Sequence, residues 1–134
     1  MPEAIPALDT KILAAVEALK ANPKIARGIA TALEESDKAM KEQCEICEIP
    51  APTFEEGVRA QEIARRMKLY GLTDVTIDEI GNVVGRRPGK GKGPSLALGA
   101  HMDTVFPAGT DVTVHQEGNR YSAPGIGDNC SGQR

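Results

Sequence analysis

The sequence predicts an α/β fold in which helices pack on a mixed β-sheet. Three observations lead to this prediction. Apolar residues recur at helical spacing through the first half of the chain, short β-like runs begin near residue 74, and residues 95–106 form a nearly continuous apolar run. Such a run is typical of a strand that is covered on both faces. Helices followed by a sheet with a central buried strand indicate an α/β sandwich.

Two helices are predicted before residue 50. The first covers residues 7–23, where Asp9 or Thr10 can cap the first amides. The second runs from residue 24 to about residue 48, and the prolines within residues 49–53 stop it. Its expected inner stripe consists of Ile25, Ile29, Leu33, Met40, Cys44 and Cys47.

A third helix is predicted over residues 54–70. Thr53 is its expected N-cap, and Glu55 and Glu56 are expected in the first turn, where the helix dipole favours acids. Gly71 follows its expected end, as glycine often does after a helix.

The period of the pattern then changes from helical to β-like. Residues 74–79 and 82–87 predict a hairpin, and residues 111–122 predict another with its turn at residues 117–119. The basic, glycine-rich residues 85–94 do not match a phosphate-binding loop and precede a predicted strand, so they indicate a flexible connector.

Composition excludes several classes of protein. A net charge of -3 gives no dense basic face, so we expect no nucleic-acid partner. No apolar run approaches the length of a membrane span and the N-terminus lacks a signal pattern, so we expect no membrane association. Three cysteines are too few for a disulfide scaffold, and a cytoplasmic location is expected.

A histidine and an aspartate stand where the apolar run ends. Side chains two residues apart on a strand share a face, so we expect His101 and Asp103 to lie together at the carboxyl end of this strand. Ligands usually bind at that end in α/β sheets. A neutral imidazole is a good zinc ligand, and a carboxylate beside it can orient the ring. The alternative is a structural histidine with Asp103 as a capping residue.

Another carboxylate lies on a glycine-rich loop. Asp128 is surrounded by three glycines within residues 125–132, so the backbone there bends tightly or is closely approached. Such a carboxylate can reach a metal ion, or it can be an ordinary Asx-turn residue. Together with His101 and Asp103 it forms a partial ligand set for a divalent cation, and two such cations need a bridging carboxylate.

Two stretches carry a resemblance to a known family. Residues 99–107, GAHMDTVFP, and residues 123–132, APGIGDNCSG, resemble the N-terminal metal motifs of the zinc exopeptidase and deacylase family. That family includes peptidase T, carboxypeptidase G, acetylornithine deacetylase, succinyl-diaminopimelate desuccinylase and aminoacylase. The order and spacing of residues 48–57 and 71–85 are also similar to its first elements, so the resemblance covers about residues 40–132.

The resemblance implies a role for each of the three residues. His101 would be a zinc ligand, Asp128 would bridge two zinc ions, and Asp103, in the catalytic site, would orient His101 and tune the metal site. It also implies that the peptide bond between Asp128 and Asn129 is cis. The implied reaction is hydrolysis of an amide bond in a peptide or an N-acyl amino acid, and the motifs lean toward the peptidases of the family.

The chain also departs from the family pattern. The general-base glutamate of the family, its later ligands and its lid domain would follow Arg134. We therefore expect residues 1–134 to be a truncated N-terminal portion of a metallopeptidase catalytic domain that is inactive alone. The alternative is a non-enzymatic chain that binds metal or depends on a partner, and that associates through an uncovered sheet.

The remaining motifs have structural interpretations. Cys44 and Cys47 have the spacing of a zinc or redox pair but lie near the end of a predicted helix, so they are expected to be core residues. Cys130 has no paired histidine nearby in the sequence, so no nucleophilic role is expected, and His115 is expected to face solvent.

Overall fold

The computed structural model describes residues 9–134 as an α/β chain of helices and short antiparallel hairpins, which confirms the predicted class. The elements are α1 (Thr10–Ala21), α2 (Pro23–Glu34), α3 (Ser36–Cys47), α4 (Gly57–Leu69), β1 (Thr73–Ile77), β2 (Val83–Arg86), β3 (His115–Glu117), β4 (Arg120–Ser122) and α5 (Cys130–Gln133). The described residues divide into two compact units, one that ends at Lys38 and one that covers Ala39–Arg134. No helix in the described part is both long and apolar enough to cross a membrane.

The first unit contains α1 and α2, and both helices begin at side-chain caps. The Asp9 carboxylate accepts a hydrogen bond from the Lys11 amide at 2.8 Å, which confirms the predicted cap of α1. The Asn22 side chain does the same for the Lys24 amide at 2.9 Å, and Pro23 occupies the first position of α2. The predicted start of the first helix at residue 7 lies outside the described residues.

The apolar stripe predicted for α2 is not buried. Ile25, Ile29 and Leu33 are all exposed, and no residue of α1 or α2 is fully buried. Two short helices can cover only the narrow strip along which they meet, so periodicity alone overstates burial here.

The predicted second helix is in fact two helices. α2 ends at Glu34 and α3 begins at Ser36, with Glu35 outside helical geometry. Serine competes for backbone hydrogen bonds and is favoured at helix boundaries, an effect that apolar periodicity does not register. The α3 part of the predicted stripe is confirmed, because Cys47 is buried and Met40 and Cys44 are partly buried.

The second unit has a small core. Its buried cluster consists of Ile46, Cys47, Ile63 and Cys130. Partly buried apolar residues pack against this cluster, namely Met67, Val83, Met102, Val114, Ala123 and Ile126. The core therefore joins α3, α4 and the loops that carry residues 102 and 126, without an aromatic side chain.

Helix α4 differs from the prediction at its N-terminal end only. It begins at Gly57, so the prediction that Thr53 caps it is wrong. Residues 52–55 form a turn in which the Glu55 amide donates to the Pro52 carbonyl at 2.8 Å. At the other end Gly71 has a φ of +77°, and the Leu72 amide donates to the Met67 carbonyl, as in a Schellman motif.

Both predicted hairpins are present. β1 pairs with β2 in antiparallel register, and β3 pairs with β4 around the turn at residues 118–119. α4 packs on the β1–β2 hairpin. The predicted mixed sheet is not found in residues 9–134, because the two hairpins are separate antiparallel two-stranded sheets and only one isolated parallel bridge joins Pro52 to Thr104.

The prediction of a buried strand over residues 95–106 is wrong. Residues 95–103 form no strand, and Leu96 and Leu98 are 84% and 90% exposed. A strand is buried on both faces only when other strands and helices surround it, and in residues 9–134 none pairs with this segment before Thr104. Its apolar composition favours a buried strand, but no strand of residues 9–134 pairs with it and its leucines stay exposed.

A charged cluster on α4 makes stability depend on pH. Glu62 accepts hydrogen bonds from Arg65 and Arg66 at 2.7 Å, and these bonds lower its pKa from 4.5 to about 2. A carboxylate with a lowered pKa stabilises the folded state above its unfolded pKa, and this stabilisation is lost as pH falls from about 4.5 to about 2.

We expect Glu62→Gln to lower the free energy of unfolding by about 1 kcal/mol at pH 7, after allowance for solvent screening. The difference from the wild type should shrink steadily as the pH is lowered through this window. Urea unfolding followed by circular dichroism at several pH values measures it. A difference that stays constant down to the lowest pH would contradict this origin of the stability, and Glu79→Gln on the hairpin turn is the control.

Candidate functional site

The three residues predicted as a site lie together in the second unit. The His101 Nδ1 atom is 3.1 Å from Asp103 Oδ1, and its Nε2 atom is 2.9 Å from Asp128 Oδ1. The imidazole therefore lies between two carboxylates that are 25 residues apart in the chain. His101 is about half-exposed and the Asp128 side chain is 91% exposed, so the Asp128 side of the ring faces solvent.

Asp103 is held in place by a residue that the sequence assigned elsewhere. The Thr53 hydroxyl donates a hydrogen bond to Asp103 Oδ2 at 2.9 Å, while Oδ1 of the same carboxylate faces His101. The side chain predicted to cap α4 thus contacts the site. Residues 53 and 103 are close because a parallel bridge joins Pro52 to Thr104, and no local sequence motif predicts this contact.

These contacts shift the pKa values of the groups in consistent directions. The hydrogen bond from Thr53, and then that with His101, lower the pKa of Asp103. The neighbouring Asp128 carboxylate, and then Asp103, raise the pKa of His101. The arrangement therefore favours an ionised Asp103 and a positive charge at the His101 ring, whether a proton or a cation supplies it.

The loop that carries Asp128 is fixed by close packing. Gly125 has a φ of +79°, and a Cβ atom there would lie 2.8 Å from the Thr104 side chain, so only glycine fits. The Gln43 side chain donates to the Ile126 carbonyl at 2.7 Å. The peptide bond between residues 128 and 129 is cis, as the resemblance implied.

One residue of the site was not foreseen at all. The Gln133 side-chain amide donates to the His101 carbonyl at 2.8 Å, and its own carbonyl oxygen is buried without a hydrogen-bond partner in the described chain. Gln133 lies in α5, directly after the Asp128 loop. The short helix therefore ties the two site segments together through the backbone.

The donor atoms fit part of a metal site. His101 Nε2 and Asp128 Oδ1 are an imidazole nitrogen and a carboxylate oxygen, the two donor types that zinc takes besides thiolate. They border an open cleft of about 370 Å³ that Asp103 also lines. Among residues 9–134, however, no group of three or more histidine, cysteine or acidic side chains is placed to hold a metal ion. The described residues thus supply at most two ligands to a zinc ion.

The cysteines and the second histidine have no part in this site. Burial and the neighbouring Cys130 thiol raise the pKa of Cys47 to about 12, and burial also raises the pKa of Cys130. Buried thiols of this kind are poor nucleophiles. His115 is exposed on β3, as predicted.

Comparison with known proteins gives a limited match. A protein of Pyrococcus abyssi, provisionally named a LysW-lysine/LysW-ornithine hydrolase, is 38% identical over 69 residues, which cover 52% of this chain and 20% of that protein. Proteins of the same name from Pyrococcus furiosus and Thermococcus kodakarensis are 38% and 37% identical over 60 residues, or 45% of this chain. Over about half of its length, the chain is similar to hydrolases. No family model matches it.

The extent of these matches matters as much as their identity. The chain spans about a fifth of the length of the curated relatives it matches. The similarity to proteins named as hydrolases agrees with the expectation of a hydrolase made from the two motifs. It does not extend to the zinc requirement or to the substrate, which belong to the proposal below.

We expect Thr53→Val to raise the pKa of Asp103 toward its ordinary value, because the hydroxyl that stabilises the carboxylate is lost. Carbon-13 NMR of the Asp103 carboxyl during a pH titration measures the change. Thr53→Ser retains the hydroxyl and is the matched control. The assignment of Thr53 to this site fails if the valine variant titrates like the wild type.

Proposed function

We propose that this chain forms the N-terminal part of the catalytic domain of a zinc-dependent hydrolase that cleaves amide bonds in peptides or N-acyl amino acids. The observation that carries the proposal is the position of one imidazole between two carboxylates, with its Nε2 atom facing an exposed Asp128. The similarity to proteins named as hydrolases supports the reaction class.

Each residue has a defined task in this proposal. Asp103 would accept a hydrogen bond from Nδ1–H of His101, and loss of the proton from Nε2 would then free that nitrogen for a metal ion. Thr53 fixes Asp103, and Gln133 fixes the backbone of His101. Asp128 presents one oxygen to Nε2 of the ring, and its carboxylate would hold zinc together with His101.

Zinc, when bound, would polarise the scissile carbonyl and lower the pKa of a bound water molecule. The residues described here hold and orient; none of them is placed as a general base for that water. The relatives' names indicate a lysine or ornithine conjugate as one candidate substrate.

A second candidate is a metal-binding chain without turnover of its own. The small donor set favours it, because catalytic zinc sites use three protein ligands and the described residues bring together two. Both candidates require that His101 and Asp128 bind zinc, and they differ in turnover.

We expect the full 134-residue chain to bind zinc, and His101→Ala and Asp128→Ala each to weaken binding at least about tenfold. Isothermal titration calorimetry at neutral pH measures the dissociation constants. His115→Ala removes the other histidine of the sequence, on an exposed strand away from the site, and should bind like the wild type. Equal affinities in all four proteins would overturn the metal site.

Turnover separates the two candidates. The native polypeptide is recovered from its own cells with an antibody against residues 7–22, its mass is compared with 14.2 kDa, and hydrolysis of peptides and N-acyl amino acids is assayed with zinc. We expect hydrolysis by a native polypeptide larger than this mass and none by the 134-residue chain. A larger native polypeptide without hydrolase activity would refute the proposed function, and turnover by the 134-residue chain would refute its inactivity.

A further inference from the structure

An arginine is the largest fully buried side chain in the described part of the chain. Arg59, on the inner face of α4, is 0% exposed, and no ion pair to it is found within residues 9–134. Burying a charge is costly unless hydrogen bonds replace its hydration. The position of this cation therefore needs a structural reason.

Backbone carbonyls replace the water around Arg59. Its Nε atom donates to the Ile49 carbonyl at 3.0 Å, and Nη2 donates to the same oxygen. Nη2 also donates to the Cys47 carbonyl at 3.4 Å, and Nη1 donates to the Met102 carbonyl at 2.8 Å. A guanidinium group spreads five donors over a planar fork and so reaches carbonyls in several directions, whereas the three donors of a lysine all lie on one nitrogen.

The three carbonyls belong to two segments that are far apart in sequence. Cys47 is the last residue of α3 and Ile49 lies two residues further on, so both carbonyls are at the C-terminal end of the helix, where its dipole is negative. Met102 stands between His101 and Asp103. Arg59 thus connects α4, the end of α3 and the peptide group directly between the two site residues.

The Met102 carbonyl is one of the backbone anchors of the site segment, next to the His101 carbonyl that Gln133 holds at 2.8 Å. Within the described chain, no backbone hydrogen bond holds residues 95–100, and the next anchor is the Thr104 amide, which donates to the Ala51 carbonyl at 2.8 Å. The segment that carries His101 is therefore not part of a sheet where it reaches the site. The hydrogen bond from Arg59 fixes the plane of the peptide group between residues 102 and 103.

We propose that Arg59 is a positioning residue that sets the orientation of His101 and Asp103 through the Met102 carbonyl. The orientation of the His101 ring follows from the described contacts alone, and its consequence for zinc rests on the proposed function. Arg59 contacts neither His101 nor a substrate, so its effect is indirect.

The test compares Arg59 variants with a matched arginine on the same helix. Arg66, two turns further along α4, is also largely buried, but it pairs with Glu45 and Glu62 and makes no bond to residue 102. Arg59→Met removes the four hydrogen bonds to the three carbonyls. Arg59→Lys retains the charge on a single ammonium group, and Arg66→Met removes a largely buried arginine elsewhere. All three are made in the full 134-residue chain, and folding is checked by circular dichroism.

Two readouts report on the site. The nitrogen-15 shifts of the His101 ring in the metal-free chain report its contacts with Asp103 and Asp128, with His115 as the internal reference. Zinc affinity by calorimetry reports the donor geometry. We expect Arg59→Met to move the His101 shifts and to weaken zinc binding about tenfold, Arg59→Lys to have an intermediate effect, and Arg66→Met to change neither.

The outcomes are separable from those of the proposed function. Folded Arg59 variants with wild-type His101 shifts and zinc affinity would overturn the positioning role, as would an equal effect of Arg66→Met. Where Arg59→Met does not fold, Arg59→Lys makes the same comparison. If the wild-type chain binds no zinc, the proposed function fails while the His101 shifts alone decide the role of Arg59.

Discussion

The hydrogen bonds from one buried guanidinium group to three backbone carbonyls are the constraint on which the second unit depends. Its core cluster has four buried members, none of them aromatic, so apolar packing alone covers little of the loops around it. Polar links across the loops make up for this. Arg59 joins the end of α3 to Met102, and Gln43 joins α3 to the Asp128 loop. Bonds of this kind are strong where water is excluded, but they leave costly unpaired groups when one partner is removed.

The candidate site is assembled from these same loops. His101 and Asp103 flank the Met102 anchor on either side, and Asp128 lies two residues beyond the Ile126 carbonyl that Gln43 holds. Neither loop belongs to a sheet. A ring that sits 3.1 Å from one carboxylate and 2.9 Å from another requires both loops to be fixed at once. Hydrogen bonds from α3 and α4 fix both loops. The helices thereby determine the geometry of the site, although they contribute none of its three candidate residues.

The sequence predicted the local structure of the chain well and its long-range structure less well. Caps and turn residues act within a few positions, so the Asp9 cap, the glycine at the end of α4 and both hairpins were predictable. Burial depends on what lies opposite, and the apolar run at residues 95–100 has no strand beside it in the described chain. Periodicity could not show that, nor the one-residue break at Glu35.

Predictability of the site follows the same division. His101, Asp103 and Asp128 were found because their residue types and spacing are those of a ligand set, and the structure brings them together. Thr53, Arg59 and Gln133 were missed as site residues because each acts through a contact with a distant segment. A buried arginine on a helix carries no local signal that distinguishes it from an exposed one such as Arg65 on the same helix, so only the fold could identify it.

The electrostatics of the site connect its present geometry with its proposed chemistry. Two carboxylates beside one imidazole favour a positive charge at the ring, and the raised pKa of His101 shows that a proton can supply it. The same Nε2 atom would bind a metal ion, so proton and metal compete for it. His101 Nε2 and Asp128 Oδ1 lie 2.9 Å apart, in hydrogen-bond contact. The fold therefore brings the imidazole nitrogen and the carboxylate oxygen together through loops that α3 and α4 hold, so the two proposed zinc ligands are adjacent.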